Sequence, residues 1–358
     1  MMSSKPPRVR EGLIDRVWYA GDDALAAAIR AALVPVERAY AAAVGVRSAY
    51  YESGRGLAAA SPIPCVSVGN VSVGGTGKTP VAAWIAATLV ARGARPAIVL
   101  RGYGGDEGLV HRVLNPGVPV VESIDRPMGV ARAAAGGADV GVLDDAFQHR
   151  RARRLVDVVL VSADRWSTNL RLLPAGPWRE PIHGIGRATL VVITRKAATD
   201  DQVGAASGAL AQIAPGLPQA TIRLAPDTLR QLGDASTSEL PIGAIAGRRV
   251  HLVAAIGDPR ALARQLEAAG AIVQADFFRD HHPFSDSELT AIRRRIASDS
   301  LVVCTLKDAV KMGNRWPREA PPLWYVSQRV IVERGGSAIE HGLDDLLRAR
   351  HQTAPTAG

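Results

Sequence analysis

Residues 67–84, SVGNVSVGGTGKTPVAAW, decide the fold. A phosphate-binding P-loop is a buried strand, a Gly-rich turn and a helix whose N-terminal N–H groups face phosphate oxygens. Its lysine adds charge at the β/γ-phosphates, and the following Ser or Thr holds magnesium. Here CVSVGN (65–70) reads as the strand. Gly74, Gly75, Thr76 and Gly77 form the loop, and Lys78-Thr79 open a helix. Pro80 falls in its first turn, where a missing N–H costs little. The usual spacing asks for glycine five positions before Gly77, and Ser72 stands there. Either the loop takes another path, using Gly69-Asn70, or the Gly-Lys-Thr is a coincidence. Strand, loop and helix in the right order favour the first.

Outward from this stretch, AIVL (97–100), VGVLDD (140–145), VDVVLVS (156–162) and LVVITR (190–195) are continuously apolar rather than alternating. That pattern fits parallel strands buried on both faces. Val81, Ile85 and Leu89 keep helical spacing between the first two strands, and Gly93 follows as a stop. The order is βαβ, hence a parallel α/β sheet. Residues 225–250 turn irregular and read as a linker. A second unit follows: VHLVAAIG (250–257) as a strand, Asp258-Pro259 as a helix start, SDSE (285–288) with capping-box spacing, and LVVCT (301–305) as a strand. The expected architecture is a P-loop NTPase-like parallel-sheet domain over residues 1–224, led by an N-terminal helical segment that is a candidate for membrane association. After the 225–250 linker come a smaller α/β domain (251–335) and a C-terminal segment (336–358) with a disordered end. No internal repeats are seen.

The 358 residues suit two domains, and 47% hydrophobic content can build full cores. With 43 basic and 34 acidic residues the formal charge is +9, which suits an anionic partner without choosing among nucleotide, nucleic acid, phospholipid and phosphorylated substrate. Cys65 and Cys304 sit in apolar runs with no CxxC spacing, so neither zinc nor a disulfide framework is expected, and a reducing compartment is. The N-terminus lacks the apolar stretch of a secretory signal, and no run is long enough to span a membrane. Residues 24–46 are rich in Ala, Leu and Val but broken by Arg30, Pro35, Glu37 and Arg38. They are either a packed helix pair or an interfacial helix with Trp18, Tyr19, Tyr40, Tyr50 and Tyr51 near the headgroups.

A P-loop enzyme usually carries an acidic residue at the end of a neighbouring strand to hold magnesium. VGVLDDAFQHRR supplies Asp144-Asp145, with Gln148 and His149 close behind. Four arginines follow in RRARR (150–154), either a solvated turn or a phosphate contact.

SVGNVSVGGTGKTP, RGYGGDE, LDDAFQHRR, LLPAGPWREP, AIGDP, FFRDHHPFSDSEL and TLKDAVKM occur in an order and spacing that resemble the tetraacyldisaccharide 4′-kinase family. The resemblance runs from about residue 25 to 335, and a Ser or Thr at the Ser72 position is typical of it. It implies a larger P-loop domain joined to a smaller α/β domain, with ATP near the cleft and Mg²⁺ as cofactor. It implies transfer of the γ-phosphate of ATP to the 4′-hydroxyl of a membrane-borne acylated disaccharide 1-phosphate, giving lipid IV-A. The location implied is peripheral, on the cytoplasmic face of the inner membrane and beside its anionic lipid. The resemblance also implies the roles of individual residues. Lys78 and Thr79 are the P-loop lysine and magnesium-binding threonine. Asp144 and Asp145 are the Walker-B-like pair, and Asp106 is the general base, partnered by His281. Arg179 and Glu180 lie near metal and phosphates. Gln148 joins the metal candidates, and Arg101, Tyr103, Lys307 and Asp308 are phosphate or substrate candidates. Departures from the family pattern are the short stretch between GYG and Asp106, Gly108 for a frequent Pro, Ala146 for a frequent Gly and Leu306 for a frequent acid.

Two other classes compete. A nucleic-acid-dependent P-loop ATPase would use RRARR and RRRI (293–296), but the chain offers no base-stacking aromatic platform. A non-catalytic nucleotide switch would leave Asp106 and His281 without a task. Neither nucleic acid nor an obligate protein partner is expected.

Overall fold

The computed structural model describes residues 13–19, 23–102, 105–231 and 239–353. The strands are β1 (Cys65–Asn70), β2 (Pro96–Leu100), β3 (Val120–Glu122), β4 (Val140–Asp144), β5 (Val156–Ser162), β6 (Leu190–Arg195), β7 (Gln219–Gln231), β8 (Glu239–Pro241), β9 (Arg249–Ala254), β10 (Ile272–Phe277), β11 (Leu301–Thr305) and β12 (Leu323–Arg334). The helices are α1 (Leu13–Tyr19), α2 (Ala24–Glu52), α3 (Lys78–Ala91), α4 (Asp106–Leu114), α5 (Arg126–Ala135), α6 (Asp200–Ile213), α7 (Pro259–Ala268), α8 (Asp286–Arg295), α9 (Leu306–Met312) and α10 (Gly336–Thr353).

All strands join one sheet in the order β10-β9-β11-β12-β7-β6-β5-β1-β4-β2-β3, with β8 on the side of β7. β1 lies centrally, paired in parallel with β4 and β5, and every one of its residues is buried. Cys65, Val66 and Val68 pack into the cores, and its two polar side chains are paired internally, Ser67 with Asp157 and Asn70 with Thr76. On α3, Val81, Ala82, Ile85, Ala86 and Leu89 pack onto this sheet. Each large aliphatic side chain buried there stabilises the strand–helix unit by about 1.5–3 kcal/mol. The C-terminal helix α10 returns to the same core through Ile339, Leu343 and Leu346. Of the tail HQTAPTAG (351–358), expected to be disordered, residues 351–353 end α10, and residues 354–358 lie outside the described residues.

The linker expectation needs correcting. Residues 225–231 continue β7, which pairs antiparallel with β12, for example Leu229 with Val326. Residues 239–241 form β8, and β9 begins at Arg249. Pro226 and the Gly/Ser cluster downstream hide the strand in the sequence. Strand pairing tolerates this proline because the register shifts beside it, between Val326 and Gln328. The two halves of the chain thus share a continuous sheet through this ribbon. Parallel strands on its two sides run in opposite directions, yet the C-terminal ends of both sets line one cavity. A two-stranded ribbon twists strongly, and irregular register adds to the twist.

At the N-terminus, α2 is a 29-residue helix, about 43 Å long at 1.5 Å per residue. Asp23 caps it by accepting from the N–H groups of Leu25 and Ala26. Only Ala26 of this helix is buried. Leu25, Val36, Val46 and Tyr50 are exposed, as are Leu13 and Ile14 of α1. Among the described residues no helix is long and apolar enough to cross a membrane.

Candidate active site

The loop after β1 resolves the Ser72 question. Ser72 bridges Trp178, Val73 N–H donates to Pro177 O (2.7 Å), and Arg179 N–H donates to Val71 O (2.8 Å). The chain therefore leaves β1 extended, pinned along the PWRE segment, instead of turning at a glycine. Asn70 Nδ2 then donates to Thr76 Oγ1 (2.9 Å), Thr194 Oγ1 to Thr76 O (3.0 Å) and Lys196 Nζ to Gly75 O (2.8 Å). Gly77 caps α3 at φ +85°, where a Cβ would meet Leu224 Cδ1 at 2.3 Å. From the other half, Gly257 approaches so closely that its own Cβ would lie 2.6 Å from Gly75 N.

Two cavities meet here. One, of about 650 Å³, is lined by residues 73–80, including Lys78 and Thr79, and by Lys196, Asp258, Lys307 and β12. The other, of about 550 Å³, is walled by α2 through Tyr40, Val44, Arg47 and Ser48. Six arginines line it, Arg47, Arg101, Arg126, Arg150, Arg179 and Arg187, against the acids Glu107, Asp145 and Glu180. Glu107, Asp145, Arg179 and His281 border both cavities.

Asp145 sits between Lys78 Nζ (3.6 Å) and Arg179 Nη1 (3.1 Å). Burial pushes its carboxyl up, but the two cations outweigh burial and hold it below the ordinary carboxylate value. Asp106 opens α4 and is 3% exposed. Its Oδ1 accepts from Glu107 N–H (3.0 Å), and its Oδ2 lies 3.4 Å from His281 Nδ1, long for a hydrogen bond, with no closer partner. Here too burial is outweighed, by His281 and the Lys307 ammonium, so the Asp106 carboxyl is depressed. The Asp106 contact raises the His281 imidazole above its usual value. Burial and the neighbouring Asp144 raise Glu107. Among the described residues other than glycine, only Asp145, His281 and Phe284 have positive φ (50°, 61° and 48°). Such backbone is held only where the surroundings over-determine it, which is common at functional sites.

The structure departs from the sequence expectation at several residues. Gln148 Nε2 donates to Asn70 O (2.7 Å) and Glu180 Oε1 (2.8 Å), and Glu180 Oε2 accepts from Arg187 (2.8 Å). Both oxygens of Glu180 are thus engaged on the arginine-rich side, and Gln148 and Glu180 line that cavity and not the P-loop cavity. Asp308 is fully buried: it accepts from Ala255 N–H and Thr305 Oγ1 and pairs with Lys311, so it closes a turn instead of facing substrate. Lys307 does line the P-loop cavity. Tyr103 lies outside the described residues.

One residue was not anticipated. His111, fully buried on α4, contacts Asp144 Oδ2 through Nε2 (2.8 Å), while Asp144 Oδ1 has no partner. The signal was faint: a lone histidine five residues after Asp106 in a helix that otherwise reads as amphipathic. Replacing His111 by alanine leaves a buried carboxylate without its donor. Urea unfolding should show a loss of about 2–3 kcal/mol, with the m-value unchanged.

No group of three His, Cys, Asp or Glu among the described residues forms a metal cage. Magnesium needs none, since it takes one or two carboxylates together with substrate phosphates. Thr79 and Asp145 on the P-loop cavity, and the orphaned Asp144 Oδ1 behind them, fit that donor set.

A sequence model of the Tetraacyldisaccharide-1-P 4′-kinase family matches residues 29–117 and 105–348. The chain belongs to this family. It is 35% identical to the tetraacyldisaccharide 4′-kinase of Halorhodospira halophila over 338 residues, 89% of this chain and 94% of that one. With the tetraacyldisaccharide 4′-kinase of Anaeromyxobacter sp. (strain Fw109-5) it shares 34% over 375 residues, 97% and 100% of the two chains. Its fold matches the crystal structure of the "apo" form of LpxK from Aquifex aeolicus in complex with ATP. There the TM-score is 0.69 at 27% identity, covering 90% of this chain and 99% of that one. In this 4′-kinase family member Lys78, Thr79, Asp145 and His281 line one cavity, and Asp106 lies behind it against His281.

Proposed function

We propose that this chain phosphorylates the 4′-hydroxyl of tetraacyldisaccharide 1-phosphate with ATP, giving lipid IV-A. The observation that carries the reading is the junction: a P-loop cavity and an arginine-rich cavity share Glu107, Asp145, Arg179 and His281, with Asp106 against His281. A donor nucleotide suits the first and an anionic acceptor the second.

The steps follow from the side chains. The P-loop N–H groups and Lys78 bind the β- and γ-phosphates. Thr79 and Asp145, backed by Asp144, would hold Mg²⁺, which neutralises phosphate charge when bound. The 4′-oxygen attacks the γ-phosphorus while its proton passes to the Asp106 carboxylate. The bond from the γ-phosphorus to the β,γ-bridging oxygen breaks, and ADP leaves with that electron pair. Arg179 supports the charge at Asp145 and the transferring group. The contact of Asp106 with His281 joins the two halves of the chain beside the transferring group. The arginines of the second cavity, Arg101 among them, suit the phosphate of the acceptor.

Localisation follows the same logic. The acyl chains of such a substrate lie in a bilayer, and α2 walls the arginine-rich cavity while exposing Val46 and Tyr50. A peripheral location on the anionic cytoplasmic face of an inner membrane fits these features and the +9 charge. The double variant Leu13→Asp/Ile14→Asp should sediment several-fold less with phosphatidylglycerol vesicles, at unchanged thermal stability. Equal sedimentation would argue against this membrane contact.

The function itself is tested by ³²P transfer from ATP to tetraacyldisaccharide 1-phosphate in detergent. Labelled lipid is expected with the intact chain. An ATP-binding protein that makes none, or whose ATPase activity responds to RNA instead, would overturn the reading.

A further inference from the structure

The geometry points to Lys307 as the residue that sets the tautomer of His281, holding the ring as Nδ1–H so that it donates to Asp106. This rests on the reading of Asp106 as the base, and it adds a positioning residue to that reading.

Lys307 lies in the first turn of α9, directly after β11. Its Nζ is 2.9 Å from His281 Nε2 and 3.2 Å from Asp280 Oδ1. An ammonium has three N–H donors and no acceptor. The partner nitrogen must therefore present its lone pair, and Nε2 of His281 carries no proton in this contact. A neutral imidazole has one ring proton, which is then on Nδ1, the nitrogen 3.4 Å from Asp106 Oδ2. Which nitrogen carries the proton is set by the bond the other one makes. The backbone agrees with an imposed orientation. His281 adopts φ +61°, and its N–H donates to Asp280 Oδ1 (3.0 Å), the oxygen that also receives Lys307. The Asp280-His281 turn and the start of α9 thus hold the ring edge-on between a cation and a carboxylate.

The consequence is chemical. With Nδ1 already protonated, His281 orients Asp106 and stabilises its charge but cannot take a proton from it at that nitrogen. The proton removed from the acceptor hydroxyl stays on Asp106 until product leaves. The opposite tautomer would set two lone pairs against each other at Asp106 and an N–H against the ammonium.

The test is ¹⁵N NMR of the full chain labelled at its eight histidines, at a pH above imidazole titration, with His281 assigned by loss of its signal in His281→Gln. The long-range ¹H–¹⁵N pattern distinguishes Nδ1–H from Nε2–H. Wild type should show His281 as Nδ1–H. In Asp106→Ala, where no carboxylate holds Nδ1, the ring should stay Nδ1–H; adding Lys307→Met should move the proton to Nε2, with the other histidine signals unchanged as a control for folding, and adding Lys307→Arg instead should keep it on Nδ1. An Nε2–H ring in wild type overturns the proposal even if no variant folds, and so does an Nδ1–H ring that persists in Asp106→Ala/Lys307→Met. The readout needs no turnover. If the tautomer behaves as proposed while Asp106→Ala still transfers phosphate, the reading of Asp106 as base fails and the role of Lys307 in the ring stands.

Discussion

Replacing Asp106 by alanine should lower kcat by roughly 10²–10⁴-fold, the usual range for losing a general base, while ATP still binds. The carboxylate lies at the start of α4, between Glu107 and His281, which border both cavities, and contacts His281 from the other half of the chain at 3.4 Å. Its loss removes the proton acceptor and the link between the halves, but none of the phosphate-binding groups. Equilibrium binding of a fluorescent ATP analogue beside single-turnover transfer separates the two effects. Normal transfer would refute the assignment, and loss of ATP binding would move Asp106 into the nucleotide site.

The pH dependence carries a sign. Burial raises the Asp106 carboxyl, but His281 and Lys307 outweigh it, so the proton-accepting form persists below the ordinary carboxylate value. Activity assigned to this group is therefore present above that depressed value and is lost only as pH falls through it. The stability it contributes by linkage is complete above the ordinary carboxylate value and is lost as pH falls from there through the depressed one. The arriving γ-phosphate is negative and acts the other way. The acid limb should accordingly lie lower in kcat/KM for ATP, which reports the free enzyme, than in kcat, which reports the complex. Coincident limbs would mean that Asp106 does not sense the nucleotide.

Lys78→Ala is expected to lower kcat/KM for ATP by about 10²–10³-fold, the cost of removing one preorganised charge from a developing anion. It also strips Asp145 of its cation at 3.6 Å, leaving Arg179 as the remaining ion-pair partner. Because Lys78 is one of the cations holding Asp145 down against its burial, that carboxyl should take up a proton more readily in the variant. Lys78→Arg should not restore activity, since a planar guanidinium does not replace a compact ammonium in a backbone cradle. Initial rates over a range of ATP concentrations check both variants, and near-normal kcat/KM in either would refute the placement of Lys78 at the phosphates.

Much of the fold is legible because it is local. β1 is mostly apolar because it is buried on both faces, and after a short loop Gly77-Lys78-Thr79 opens α3. The helix start at Asp258-Pro259 is realised, with Asp258 accepting from Ala261 N–H, and Ser285 and Glu288 form the capping box. These signals act within four residues of one another, so short-range pattern suffices. The β7·β12 ribbon escaped because its evidence is divided. TLRQL and LWYVSQRVIVER lie almost a hundred residues apart, and each is ambiguous until the other covers it.

The site divides along the same line. The sequence by itself determined a phosphate loop on a parallel sheet, an acidic pair at the end of β4, and family motifs naming Asp106 and His281. Only the tertiary structure decided which of these groups face one another. Ser72 is pinned to Trp178, Glu180 to Gln148 and Arg187, Asp144 to His111, and His281 lies between Asp106 and Lys307. Apart from Lys307 and Arg187, each of those partners is at least thirty residues away along the chain, and no local propensity encodes such a meeting. The packing of one half of the sheet against the other fixes the direction in which each buried charge points, because a charge withdrawn from water must find a partner there.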